Sequence, residues 1–484
     1  MVARTVDAFW DGGRTFHVRF MPDQIGAWHY ECASTDAGLN AQRGAFVCEP
    51  NDGATRFDRH GAVQVSDNRR YLAHADGTPF FWLADTCWNG PLRATSDEWA
   101  EYLNARIDQG FNTVQWVATQ WISAPDGDLT GALPFEGHER ISVKPDVFQR
   151  LDAKQDSLNA AGLLSVPVLL WAAEWGDPTV MAINPGLTLP EDQAILLARY
   201  MVARWGANHV CWILPGDGNY LGVKADRWRR IGRAVFDGAP HAPVTLHPNG
   251  LSWYGSDFRH EDWLDFLGYQ SCHFGDPDSL AWIVRGAPAS DWTAEPARPI
   301  INLEPNYEYH LDIADRSRRF EAYDVRRAMY WSLLVSPMAG VTYGGHGVWG
   351  WDDGTAPPVA HEMSGIPLHW RQALHMPGAE QMRHLLACFT SANWWQLQPD
   401  PALVVAPTDS PIAHAITAAR VPDGSLALVY LPAGGTVELA MSRLPDPPHA
   451  TWFDPRTGAS HPAEGASGCF TAPDSQDWLL VVRA

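Results

Sequence analysis

The sequence is poor in positive charge. Its 484 residues include 56 Asp and Glu but only 35 Lys and Arg, which leaves a formal net charge of −21. Affinity for nucleic acid is built on basic side chains that neutralise phosphates. The charge balance therefore argues against a nucleic-acid partner.

Paired cysteines and long apolar runs are also lacking. The seven Cys include no C-x-x-C pair, and several fall within predicted buried strands, so we expect mostly reduced core thiols. The N-terminus has no apolar h-region, and no later run is long enough to span a bilayer. We expect a soluble, cytoplasmic protein without membrane contact, unless a misassigned start codon hides a signal peptide.

The sequence motifs of three common catalytic chemistries are absent. Although the chain has 19 His, it contains no H-E-x-x-H motif and no H-x-H pair in its first predicted parallel strand. It also has no G-x-S-x-G elbow and no P-loop. Metal-dependent hydrolysis, a serine nucleophile and nucleotide chemistry are all disfavoured, and we expect no metal and no other cofactor.

Tryptophan, in contrast, is abundant. The chain has 24 Trp, its hydrophobic content is 46% and its charged content is 19%, which is typical of a globular chain with a large core. The length predicts two to four domains. Any single Trp is more readily explained as core filling, but flat indole faces bind the C–H faces of sugars. As a population they favour a carbohydrate ligand.

The two ends of the chain are predicted to be β-structure. Residues 1–62 contain short alternating segments separated by turn signals, and we interpret them as part of a small β-sandwich. Residues 391–484 contain short strands divided by Pro, Gly and Asp turns, which predicts an all-β sandwich.

Residues 63–390 alternate strands with helices. The capping box Thr95-x-x-Glu98 opens one helix, and further helices are predicted over 146–161, 190–206, 315–335 and 368–389. The predicted strands end near residues 85, 117, 171, 217, 247, 271, 304 and 344. Eight such units predict a (β/α)8 TIM barrel. A doubly wound sheet is the rival fold, but no Gly-rich nucleotide turn follows an early strand.

Two strand ends carry the candidate catalytic acids. Asp217 ends the fourth strand and Glu304 the seventh, so both face the mouth of one barrel. Glycoside hydrolysis needs two such carboxylic groups. The alternatives are a turn role for Asp217 before Gly218 and a buried ion pair for Glu304. Glu308 is the nearest competitor, and we expect it to hold a neighbouring residue instead.

Other polar and aromatic residues near strand ends are candidate sugar-binding groups, although each has a core or loop role as its alternative. The predicted substrate-binding residues are Asp85, Trp88, Gln115, Trp116, Trp171, Glu174, His247, Tyr269, Gln270, His273, Tyr343, His346 and Trp349. Trp121 and Trp175 are further candidate stacking platforms.

With these residues in view, the chain resembles the apiosidase-like glycoside hydrolases over roughly residues 65–390. The matching stretches are Pro79-Phe-Phe-Trp-Leu-Ala-Asp-Thr-Cys-Trp88, Gly110-Phe-Asn-Thr-Val-Gln115, Trp212-Ile-Leu-Pro-Gly-Asp217, Tyr269-Gln-Ser-Cys-His273, Asn302-Leu-Glu-Pro305 and Tyr343-Gly-Gly-His-Gly-Val-Trp349. The N-terminal segment is similar to a β-sandwich domain that often precedes this barrel, and the C-terminal segment to a module labelled as collagen-binding.

The resemblance implies that Asp217 is the acid/base and Glu304 the nucleophile, with a β-linked apiose as the substrate of characterised relatives. Pro215 departs from the family's usual Gly-Gly-Asp pattern.

The sequence thus predicts a retaining, exo-acting glycosidase that acts on an oligosaccharide or glycoside. Two alternatives remain: a non-catalytic carbohydrate-binding protein and a structural scaffold that grips a protein partner. The sequence also leaves a homo-oligomer open.

Overall fold

We describe the chain from a computed structural model, over residues 3–238, 240–407, 409–444, 448–466 and 468–484. Within those ranges, no helix is long and apolar enough to cross a membrane. The seven cysteines are all unpaired; Cys87 and Cys211 are buried, whereas Cys469 is exposed.

An eight-stranded parallel sheet forms the centre of the molecule. Its strands, numbered here along the chain, are β1 (Trp82–Thr86), β2 (Thr113–Val117), β3 (Leu164–Trp171), β4 (Trp212–Gly218), β5 (Val244–Pro248), β6 (Leu267–Gln270), β7 (Ile300–Glu304) and β8 (Gly340–Gly344). All eight are buried along their whole length, as expected for strands covered by helices on the outside and by packed side chains within.

The strands close into a barrel in chain order. Strand β8 pairs with β1, from Gly340 opposite Trp82 to Gly344 opposite Thr86. Strands β5 and β6 are joined by side chains instead of a regular ladder. Thr245 Oγ1 accepts the backbone N–H of Gly268 at 2.8 Å and donates to the Phe266 carbonyl at 2.8 Å. The (β/α)8 barrel prediction is confirmed.

Helices surround this sheet. The principal ones are Ser96–Asp108, Pro145–Ala160, Glu191–Trp205, Val223–Phe236, Pro277–Arg285, Ala322–Leu334 and Pro377–Thr390. The predicted capping box is present: Thr95 accepts the backbone N–H of Glu98, whose side chain accepts that of Thr95. Two predicted boundaries were wrong. The helix expected from 315 begins at Ala322, and the one expected over 368–389 is interrupted at Met376, whose extended backbone is what Pro377 imposes on its predecessor.

Antiparallel sheets flank the barrel, as predicted. Before it, Phe9–Trp10 pairs with Phe16–His17, and Gly26–Glu31 pairs with Arg43–Cys48. This segment docks on the helix Glu191–Trp205, where the Tyr200 hydroxyl donates to the Trp10 carbonyl at 3.0 Å. A small sheet of Val63–Val65, Leu72–His74 and Pro79–Phe80 leads into β1.

After the barrel, a six-stranded and a four-stranded antiparallel sheet enclose a second core. The first contains Gln398–Pro399, Thr417–Arg420, Leu426–Leu431, His449–Phe453, Ser460–Pro462 and Trp478–Arg483; the second contains Val404–Ala406, Thr436–Leu439, Gly465–Ala466 and Cys469–Thr471.

This β-domain is fixed to the barrel by a buried ion pair and by ring packing. Arg326 donates to both carboxylate oxygens of Asp477, at 2.9 and 2.7 Å. The Tyr330 and Tyr430 rings stack with their centroids 4.8 Å apart.

A second buried ion pair lies between β1 and its helix. Asp85 Oδ2 accepts from Arg106 Nε at 2.8 Å and from the Tyr102 hydroxyl at 2.7 Å. The Asp85 and Arg106 side chains are both 0% exposed. Because strand residues alternate between faces, Asp85 points outward into the helix layer.

We expect Asp85→Asn to lower the free energy of unfolding by about 3–5 kcal/mol, because it leaves the buried Arg106 charge without its counter-ion. Urea denaturation followed by tryptophan fluorescence measures this change. The matched control is Glu31→Gln, which removes an ion pair with Arg43 whose side chains are 56% and 72% exposed and is expected to leave the urea midpoint unchanged, because exposed ion pairs contribute little to stability. Equal effects of the two variants would contradict a structural role for Asp85.

Candidate active site

The two candidate acids lie on strands with irregular register. Between β4 and β5 the register shifts twice, on either side of Gly216, just before and beside Asp217. Between β6 and β7 it shifts where Gln270 meets Glu304. Such irregularities redirect the side chains that follow them. Asp217 also has a φ of +53°, a left-handed conformation that is costly for a residue with a Cβ.

Glu304 is held by two histidines. Oε1 lies 2.9 Å from His273 Nε2, and Oε2 lies 3.3 Å from His247 Nε2. The second contact is close but not aligned as a hydrogen bond. Burial raises the pKa of Glu304, but the two histidines outweigh it and lower that pKa to about 2. Glu304 is therefore ionised across the ordinary pH range.

The tautomer of His273 follows from its surroundings. The backbone N–H of Tyr307 donates to His273 Nδ1 at 3.2 Å, so Nδ1 is an acceptor and Nε2 carries the proton. A neutral His273 can then donate Nε2–H to Glu304. The ring is also stacked on His310, with centroids 4.0 Å apart.

Asp217 has a different environment. Oδ1 accepts from Gln270 Nε2 at 2.6 Å, and Oδ2 accepts from the Trp175 indole at 2.8 Å. Burial, followed by the negative charge of Glu304, raises the pKa of Asp217 to about 6. Two carboxyl groups at one barrel mouth thus have pKa values shifted in opposite directions, which is typical of acid/base sites.

Aromatic rings form one wall beside these acids. Trp88 packs edge-on against both Trp171 and His247, with centroids 5.4 Å apart in each case. Trp121 lies 4.4 Å from Trp171 and 6.5 Å from Trp349. The wall therefore runs continuously from His247, beside Glu304, to Trp349 on the loop after β8.

Several buried polar atoms around this wall have no hydrogen-bond partner among the described residues. A buried donor or acceptor left unpaired costs about 1–3 kcal/mol, so these atoms offer hydrogen-bonding capacity to a polar ligand. They are Trp171 Nε1, Trp349 Nε1, His247 Nδ1, Asn249 Oδ1 and Asp352 Oδ2.

The structure brings together most of the predicted site residues. Gln270, His247 and His273 contact the two acids. Gln115 lies within the barrel, where its Nε2 donates to Thr86 Oγ1 at 2.9 Å. His346 packs parallel to Trp349, with centroids 6.1 Å apart.

Four predicted residues lie on the opposite face of the barrel wall. Asp85 pairs with Arg106, the Trp116 indole donates to Ser165, Tyr269 packs on Trp282 and the Tyr343 hydroxyl donates to Glu308. Each occupies an outward position of its strand and faces the helices. The structure therefore does not bring Asp85, Trp116, Tyr269 or Tyr343 to the site.

Glu174 and Glu308 are engaged elsewhere. Glu174 is exposed and forms an ion pair with Lys224. Glu308 accepts from the Tyr343 hydroxyl at 2.6 Å and from the backbone N–H of Gly378 at 3.1 Å. A cleft of about 780 Å³ lies beside Glu308, but Asp217 and Glu304 do not line it. We place the candidate site at the two acids and not at this cleft. The described residues that line the cleft include neither a pair of carboxyl groups with opposed pKa values nor the unpaired polar atoms found near Asp217 and Glu304.

The sequence reasoning missed Tyr307, His310, Asp352 and His361. The ring of Tyr307 lies over Gly344, where a Cβ would come within 2.0 Å of it. His361 stacks on Trp349 at 4.4 Å, and its Nδ1 lies 2.9 Å from His346 Nε2. Burial raises the pKa of Asp352 to about 7. Of these four residues, only Tyr307 could have been predicted from the sequence, because it lies three residues after the strand end at Glu304.

Throughout the described part of the chain, no group of three or more His, Cys, Asp or Glu side chains is arranged to hold a metal ion.

Family models match nearly the whole chain. The model described as "Apiosidase-like, catalytic domain" matches residues 66–396. A domain of unknown function, DUF5060, matches residues 3–35, and "Putative collagen-binding domain of a collagenase" matches residues 399–483. No curated protein matches the sequence.

Solved structures share the fold. A glycoside hydrolase family 5 protein from Bacteroides vulgatus ATCC 8482 is 24% identical, with a TM-score of 0.77 over 89% of this chain and 94% of its own. A second structure, named a glycoside hydrolase, is 23% identical, with a TM-score of 0.76 over 89% of this chain and 98% of its own. Since the catalytic-domain model covers well over half of the chain, including both acids, the protein belongs to the apiosidase-like family of catalytic domains.

Proposed function

We propose that the protein is a retaining glycosidase in which Glu304 is the nucleophile and Asp217 the acid/base. The observation that carries the proposal is the contrast between the two buried carboxyl groups. The pKa of Glu304 is lowered to about 2, whereas that of Asp217 is raised to about 6. One group is thus a permanent anion and the other exchanges a proton near neutral pH.

This contrast favours retention over inversion. An inverting enzyme needs its second carboxylate to deprotonate water, and an efficient general base has a pKa near the working pH. Glu304, with a pKa of about 2, is a weak base but a competent nucleophile and leaving group. Asp217 has the pKa that both proton transfers require.

In the first step a Glu304 oxygen attacks the anomeric carbon while the glycosidic C–O bond breaks, and Asp217 gives its proton to the departing oxygen. In the second step Asp217 takes a proton from water, the water oxygen bonds to the anomeric carbon, and Glu304 leaves as a carboxylate. His273 and His247 stabilise Glu304 when it is charged, before attack and after release.

The aromatic wall supports a terminal sugar as the substrate unit. Trp88, Trp171 and Trp349 are 3%, 2% and 6% exposed, so the binding surface lies deep in the barrel mouth. A chain end reaches such a surface more readily than a chain interior. We therefore propose exo-action on an oligosaccharide or glycoside, with furanosides such as apiosides included by the family membership.

The experiment that tests the proposal is a screen of aryl glycosides, furanosides included, with the anomeric configuration of the first product followed by NMR. Release of the aryl group with retained configuration supports it. Inverted product would contradict the assigned roles. Sugar binding without turnover on the whole panel would favour a carbohydrate-binding protein.

We expect Glu304→Gln to lower kcat by more than about a thousandfold, because the amide cannot form the glycosyl ester. Initial rates on the best aryl glycoside measure this loss. Glu308→Gln is the matched control: it alters a carboxyl group four residues away that is bound to Tyr343 and Gly378. The roles assigned here would be wrong if Glu308→Gln abolished turnover and Glu304→Gln did not.

The pH profile of kcat/KM should show a single limb, on the alkaline side. The first step needs Asp217 protonated, so kcat/KM should fall about tenfold per pH unit above its pKa of about 6. Glu304 must be ionised, which holds at any pH well above 2. In Asp217→Asn the alkaline limb should disappear, because the amide does not titrate. Persistence of that limb would assign it to another group.

A further inference from the structure

Trp175 contacts the candidate acid from the outer end of the barrel mouth. Its indole N–H donates to Asp217 Oδ2 at 2.8 Å. The residue follows β3 and is itself 40% exposed. It belongs to a run of exposed residues, 174–179. A contact to the buried acid thus comes from the protein surface.

The other oxygen of Asp217 is fixed from within the barrel. Oδ1 accepts from Gln270 Nε2 at 2.6 Å, and the same nitrogen donates to the Pro248 carbonyl at 2.6 Å. Oδ2 is therefore the oxygen available for proton transfer. With an N–H donor on each oxygen, the arrangement favours the carboxylate form of Asp217.

The segment that carries Trp175 is anchored at both ends. Asn184 Nδ2 donates to the Ala173 carbonyl at 3.0 Å, and Asn184 Oδ1 accepts the backbone N–H of Ile122 at 2.9 Å. Gly176, directly after Trp175, has a φ of +102°, which L side chains rarely adopt. These anchors confine any displacement of the indole to the residues between Ala173 and Asn184.

We propose that Trp175 takes the place of the leaving-group oxygen in the free protein and is displaced by it, so that leaving-group binding converts Asp217 from carboxylate to acid. This inference rests on the proposed glycosidase function. The displaced indole becomes a flat face beside the leaving group. The favoured substrates are those whose leaving group carries an aromatic or pyranose ring, which has a flat face that can pack on the indole.

The charged and titratable neighbours of Asp217 agree with this exchange. Glu304 from β7 favours protonation and His247 from β5 opposes it. Asp217 also acts on Cys272 after β6 and on Tyr220 after β4, and both of those groups are neutral. Glu174 is neutralised by Lys224. When the indole leaves, Asp217 takes up a proton from hydronium in the solvent, which becomes water, and passes that proton to the departing oxygen as the glycosidic bond breaks.

Trp175→Phe tests the first half of the proposal without turnover. The ring is retained and the N–H is lost, so the titration midpoint of Asp217, read from its side-chain carboxyl ¹³C resonance, should rise by about one pH unit. The alkaline limb of kcat/KM should move upward by the same amount. Trp253→Phe is the matched control, because the partly buried Trp253 makes the same indole-to-carboxylate bond, to Asp291 at 2.8 Å.

No shift in Trp175→Phe, or an equal shift in Trp253→Phe, would overturn the proposal. Because the NMR titration needs no substrate, it remains decisive if the glycosidase assignment itself fails.

Displacement is tested in Glu304→Gln with the aryl glycoside that the parent cleaves best. The Trp175 indole ¹⁵N–H resonance should follow the titration of Asp217 in the free variant and lose that dependence when the glycoside is bound. A resonance that continues to titrate with the glycoside in place would show that the indole stays on Asp217, and would refute displacement.

Discussion

The contacts of Glu304 with His247 and His273 determine where negative charge lies at the barrel mouth. The Tyr307 backbone N–H occupies His273 Nδ1, so the ring presents Nε2–H to the carboxylate. Glu304 is thereby kept ionised although it is buried. Burial, and after it the charge of Glu304, raises the pKa of Asp217. The proposed division of labour between the two carboxyl groups thus rests on the burial of both and on the two histidines beside Glu304.

The scaffold concentrates its irregularities at these groups. Register shifts occur in the β4–β5 and β6–β7 ladders, next to Asp217 and Glu304, whereas β1 and β8 pair without a shift. A left-handed Asp217 costs on the order of 1–3 kcal/mol. Hydrogen bonds from Gln270 and Trp175 to the two carboxylate oxygens hold Asp217 in this conformation.

Hydrophobic runs and turn residues were sufficient to predict the barrel and its strand ends. A buried parallel strand is a continuous apolar run, and its carboxyl end is marked where polar residues begin. Glu304 and Asp217 were found in this way. The same reasoning could not separate the two faces of a strand. Trp116 and Gln115 are adjacent in sequence, but only Gln115 faces inward.

The alternation of strand residues between the two faces would not have been sufficient to predict the site residues either. Asn302 and Glu304 are two residues apart and should share a face of β7. Asn302 nevertheless contacts Ser332 in the helix layer, whereas Glu304 contacts His273 and His247 at the mouth. The register shift between these two positions separates them, and nothing in the sequence marks it. His361 was missed for a different reason, since its contact with His346 depends on how the long loop after β8 folds back.

The unpaired polar atoms at the barrel mouth affect both the stability of the fold and the kind of ligand that binds there. Each buried donor or acceptor without a partner costs about 1–3 kcal/mol. Trp88, Trp171 and Trp349 leave little exposed surface there, so water has poor access to these atoms. A ligand that offsets this cost must offer many hydroxyl groups around an apolar face. A sugar ring combines both properties. The unpaired atoms at the mouth therefore support the sugar ligand that the proposed glycosidase function requires.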